Sequence, residues 1–178
     1  ILGYHMICEN GVRIQSAGDV QDRVRCERLE LLLLANHVTE HVGRGIGGPG
    51  GCSLLALESM QQVTLIALKA QGKVWIDGEI QQDPKLNPTK VKLVGELIEW
   101  QRDEGLLNVR GTPARLIERE LKGDLKRQIE AEYLQMNEDG NDRRIHAKGQ
   151  VYTYFKQPDG QELTLKGEDA KIFLNQSL

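Results

Sequence analysis

His37-Val38-Thr39-Glu40-His41 is the stretch whose residue types and spacing best suit chemistry. It fits H-x-x-E-H, the inverted form of a zinc-peptidase motif. On a helix, residues four apart share a face, so His37 and His41 would offer two imidazoles to one metal ion. Glu40 would then act as general base on a zinc-bound water, as in a hydrolase. Such a centre needs a third protein ligand and leaves a fourth position for water.

The motif resembles that of the pitrilysin-like metallopeptidases. The resemblance implies a third zinc ligand from a glutamate on a later helix. Glu118, 77 positions past His41, stands at about the separation that family uses. The likeness covers five residues and one spacing. The glycine-rich sequence after His41 departs from the family's continuation, and 178 residues do not supply the two large halves those peptidases close around a substrate. The plainer reading is a pair of helix-edge histidines, one packed and one solvated.

Other groups of residues could recognise a ligand or partner. Glycines from Gly43 to Gly51 would let backbone amides approach a phosphate, with Arg44 as the cation and Ser53 opening the next helix. No Gly-Lys-Ser/Thr follows and the preceding segment reads as helix, so an interhelical linker describes residues 43–52 better. Arg115, Arg119, Lys122, Lys126 and Arg127 could contact nucleic acid, with Lys90 and Lys92 helping. Glu118, Glu120, Asp124 and Glu130 alternate with them, the pattern of a solvated, internally paired helix face. Cys52 lacks an assignable catalytic partner. Val151-Tyr152-Thr153-Tyr154-Phe155 holds three of the eight aromatics, and alternation places Tyr152 and Tyr154 together on one face, where a protein partner could dock.

Composition narrows the function classes. Lysine and arginine number 23 against 26 acidic residues, a formal charge of -3, so no global field favours nucleic acid or anionic lipid, although a local basic face is compatible with it. Aromatics at 4% are too few for a base-stacking platform. Cys8, Cys26 and Cys52 make neither a disulfide framework nor a CxxC knuckle. Three free thiols in a reducing intracellular compartment are the simplest expectation. No apolar run reaches the roughly 20 residues that span a bilayer, so membrane insertion is not expected. The chain starts at Ile1, which leaves room for a lost targeting segment.

The elements that must position these residues read as mainly helical. Asn10-Gly11 turns an N-terminal hairpin over residues 3–16. Val20, Val24, Leu31, Ala35, Val38 and Val42 form one stripe of a long helix from Asp19 to Gly43. Leu54 to Ala70 makes a second, Asn87-Pro88 opens a third, and Thr112-Pro113 opens a fourth over residues 113–135, where Ile117, Leu121, Leu125 and Ile129 recur every four residues. Residues 73–76 read as a strand, 151–166 as a second hairpin, and 169–175 as a short closing helix.

The sequence thus predicts one α+β domain over 1–178, with four long helices, a short C-terminal helix and a small antiparallel sheet from the terminal hairpins. A sub-boundary could fall at 43–52. No complete catalytic set emerges and no cofactor is required. The preferred function is therefore a soluble, non-catalytic protein-interaction module or assembly subunit, contacting a protein partner or a second copy through Tyr152/Tyr154 or the 113–135 segment. A zinc hydrolase using His37, His41 and Glu118 with Glu40, and a nucleic-acid-binding domain, are the alternatives.

Overall fold

The computed structural model describes residues 2–15, 23–35, 63–80, 89–139, 142–157 and 159–175. All its regular elements are strands: β1 (Leu2–Cys8), β2 (Val12–Gln15), β3 (Arg23–Cys26), β4 (Arg28–Ala35), β5 (Val63–Ile80), β6 (Thr89–Gln101), β7 (Leu106–Glu120), β8 (Leu125–Asp139), β9 (Asp142–Lys156) and β10 (Glu162–Asn175). They form one antiparallel sheet in the order β1-β4-β5-β6-β7-β8-β9-β10, with β3 also pairing β5 and β2 pairing β3. None of the described residues forms a helix long and apolar enough to cross a membrane.

Alternation explains the strands. In Lys90-Val91-Lys92-Leu93 and in Leu29, Leu31 and Leu33 of β4, apolar side chains recur every second residue, the period of a half-buried strand. The register stacks these positions into rows. Cys8, Leu29, Ala70, Ile98, Val109, Leu134, Ala147 and Ala170 stand opposite one another across eight strands. Ile14, Val24, Ile76, Leu93, Leu116, Ile129, Thr153 and Leu165 make a second row.

Between the two rows the sheet carries a line of irregularities. β1 gives way to β2 at Asn10-Gly11 and β3 to β4 at Glu27; register shifts then follow at 71–74, 94–97, 110–114, 130–133 and 167–169. Bulges bend a strand and increase its twist, so consecutive bulges crease a sheet. The backbones crowd along this line. A Cβ on Gly95 would lie 2.7 Å from the carbonyl oxygen of Arg110, a space only glycine can occupy.

The crease folds the sheet onto itself. Val91 and Leu93 line a cavity together with Trp100 of the same strand. In a straight strand, positions 91 and 100 would be about 30 Å apart. Leu107 and Leu116 of β7 meet there in the same way. The two inner faces therefore cover each other and supply one continuous core, with Leu29, Val74, Ile98, Val109, Ile129, Leu134 and Ile145 essentially excluded from solvent.

These observations overturn the expected α+β, mainly helical fold. Residues 23–26 and 28–35 of the first expected helix and 63–70 of the second are strands. The described part of the third becomes β6 and the turn after it, the fourth becomes parts of β7 and β8 with the turn between them, and the expected helix at 169–175 belongs to β10. The reason is visible in the fourth: a repeat of four is also twice a repeat of two, so Leu125 and Ile129 fit either period, while Ile117 falls on the other face, opposite Gln128. Gly123, at φ +98°, sits in a turn between β7 and β8 instead of inside a helix. Thr112-Pro113, read as a helix start, lies at the crease and is cis. Asn10 and Gly11 do take the positive φ expected of them, 67° and 85°, but β1 and β2 do not pair with each other. The 151–166 hairpin forms as expected. The glycine-rich 43–52 segment lies outside the described residues.

Candidate interaction site at the open end of the sheet

The two rows of inner-face side chains run the width of the sheet, yet their cover changes along it. Cys8, Val12 and Ile14, at the β1–β2 end, are 6%, 7% and 9% exposed. At the β10 end the same face presents Leu163 at 44% and Leu165 at 53%. Their register neighbours, Phe155 and Thr153 on β9, show that both leucines point along the inner face. On the opposite face of β10, Phe173 is 66% exposed. Among the described residues β10 pairs only with β9, so its outer backbone edge is available to another strand.

Tyr152 and Tyr154 do share the outer face, opposite Glu130 and Gln128 on β8 and Lys166 and Thr164 on β10. Both are half-buried, so they form a shallower patch than expected. Partial burial, the hydrogen bond the Tyr154 hydroxyl donates to Glu162, and the neighbouring Tyr152 raise the pKa of that hydroxyl above the ordinary phenol range.

The cavity lies opposite the crease, between the two free margins of the folded sheet. Its volume is about 190 Å³, and Val91, Leu93, Trp100, Leu107, Leu116 and Met136 make its walls apolar. Glu118 and Arg143 are its charged members. Glu118, only 5% exposed, pairs with Arg127 at 3.3 Å, and the Arg127 guanidinium lies 5.6 Å from the Phe155 ring. Burial lowers the Arg127 pKa, the Glu118 carboxylate opposes that shift, and Arg143 adds to it. A buried pair of this kind is retained because removing either member strands the other.

The remaining expected site residues are scattered. His37, Glu40 and His41 lie outside the described residues, and Glu118 is held by Arg127. Among the described residues no three His, Cys, Asp or Glu side chains group as a metal site. The supposed charged helix is a pair of strands and their turn, which separates its residues. Arg115 pairs with Glu130 at 3.1 Å, Arg119 donates to the Gly123 carbonyl, Lys122 is in the turn and Lys126 is exposed on β8. Cys26 is free and buried, and burial raises its thiol pKa to about 11. Cys8 is disulfide-bonded, which corrects the expectation of three free thiols; its partner lies outside the described residues.

Leu163, Leu165 and Phe173 belong to no motif; the one sequence signal for them is alternation within the expected 161–166 strand, which puts Leu163 and Leu165 on one face. Comparison with protein-family models, curated proteins and solved structures yields no match.

Proposed function

We propose that this chain is a non-catalytic interaction module that docks a β-strand of a partner protein along β10. The observation that carries this reading is the uncovered inner face at Leu163 and Leu165 beside an open backbone edge. An added strand would take main-chain hydrogen bonds from β10, while alternate side chains cover the two leucines on one face and Phe173 on the other. A second copy of this chain is one eligible partner. The test is the sedimentation mass of the chain recovered from its own cells. The expected result is an assembly larger than the 20.0 kDa chain, lost in Leu163→Asp/Leu165→Asp with its strand content intact by circular dichroism. A 20.0 kDa species for the unaltered chain, or an unchanged assembly in the variant, would refute docking at β10.

The cavity favours a second reading, the holding of an amphiphile. An apolar cavity of about 150 Å³ already accepts benzene, and the cavity here is larger, with Glu118 and Arg143 as the charged residues of its lining. Trp75 and Trp100 are the chain's two tryptophans, so Trp100 reports the cavity in a Trp75→Phe background. Titration with decanoate should shift Trp100 emission saturably. A spectrum unchanged up to the solubility limit would end this reading.

A further inference from the structure

The register sets Arg13 of β2 directly opposite Arg25 of β3, and Lys90 of β6 directly opposite Arg119 of β7. All four side chains are exposed. Like charges in directly opposed positions repel, so each pair is unfavourable unless an anion lies over it. Between the pairs, Trp75 takes Arg25 at 4.9 Å and Lys92 at 5.2 Å from its ring centroid. That holds both cations on the same outer face. Asp77 and Glu79 share the face, opposite Lys92 and Lys90, and leave cations in excess. Further along, β8 to β10 put Gln128, Glu130, Tyr152, Tyr154, Thr164 and Lys166 on this face, with Lys126 and the opposed Lys156 and Glu162 at its margin, so the paired like charges belong to the β2–β7 end.

The cations are spread in two dimensions. β2, β3, β5, β6 and β7 are successive neighbours, so the patch spans about 20 Å across the strands. A plane of charges can meet all of them at once, whereas a single thread of phosphates cannot. We propose that the face bearing Arg13, Arg25, Lys90, Lys92 and Arg119 rests the chain on an anionic membrane surface, through phospholipid headgroups and without insertion. The overall charge of -3 opposes this contact, so it depends on the local face and is sensitive to salt.

Each basic side chain near an anionic leaflet is worth about a fivefold gain in affinity. The experiment is co-sedimentation of the oxidised full chain with phosphatidylcholine vesicles, with and without phosphatidylserine. Binding is expected only with phosphatidylserine, weakening steadily as salt is added. Arg25→Glu/Lys90→Glu should lose at least tenfold, while Arg25→Lys/Lys90→Arg should bind as the unaltered chain does. Equal binding to both vesicles, an unaltered affinity in the charge-reversed variant, or insensitivity to salt would overturn the proposal. So would displacement from the vesicles by an oligonucleotide at equal phosphate concentration, which would mark a site for phosphate threads. The salt series on the unaltered chain decides the matter even if the charge-reversed variant misfolds.

Discussion

Ile14 and Leu165 stand at the two ends of one row of side chains eight strands wide, on the same face of the same sheet. One is 9% exposed and the other 53%. Alternation gave both the same direction, so direction alone does not bury a residue. Burial requires the opposing half of the folded sheet to reach over it, and that cover fails at β10. Interfaces differ from cores in this respect, since they are finished surfaces waiting for a second layer. The closed end stabilises the chain, and the open end leaves Leu163 and Leu165 in water.

The largest expected effect comes from putting one charge at each end. Ile14→Asp buries a carboxylate without a partner and should cost at least about 3 kcal/mol, by urea unfolding. Leu165→Asp should cost less than about 1 kcal/mol in the same assay, because its side chain is already half in water. Equal losses would erase the contrast between the ends.

Next comes the ion pair at the margin. Arg127→Met leaves Glu118 buried and alone, and a loss of about 3 kcal/mol is expected. Adding Glu118→Leu should recover most of it, because two apolar side chains suit that site as well as the pair does. A double variant no better than the single one would mean that the pair contributes more than mutual neutralisation.

A smaller effect tests the row itself. Thr153 lies between Ile129 and Leu165, and its buried hydroxyl has no hydrogen-bond partner. Thr153→Val should therefore stabilise the chain by about 1 kcal/mol, measured by thermal unfolding.

The expected pH effect belongs to the closed end, where Cys26 stands opposite Val12. Its folded thiol pKa, about 11, exceeds the ordinary value of 9.0. As pH rises from 9 towards 11 the unfolded thiol ionises first, so stability should fall across that window. It should change little below it. Cys26→Ala should flatten that part of the profile, and an unflattened profile would assign the loss to other groups.

How much of this was legible in the sequence depends on the residue. The 151–166 hairpin and the shared face of Tyr152 and Tyr154 followed from strict alternation bounded by Gln157-Pro158-Asp159-Gly160. The four long helices did not survive. Apolar residues at spacings of four, as in Leu125 and Ile129, satisfy a helix and a strand alike. The polar residues around them, such as Arg115 and Glu130, pair across strands as readily as along a helix. The crease was harder still. Gly72, Gly95, Gly111, Gly149 and Gly167 fall in five different strands, and only the register aligns them. No local pattern states that Trp100 will meet Val91. The ion pair of Glu118 and Arg127 was hidden for the same reason, since it joins neighbouring strands that the sequence seemed to place on one helix.

Photo-crosslinking in the native cell tests the central claim most directly. A benzophenone side chain at position 165 should give a discrete adduct of higher mass, and the same group at Lys122, exposed in the β7–β8 turn, should not. An adduct specific to position 165 is the outcome expected of an open end that docks a partner strand. No adduct at 165, or equal adducts at both positions, would contradict it.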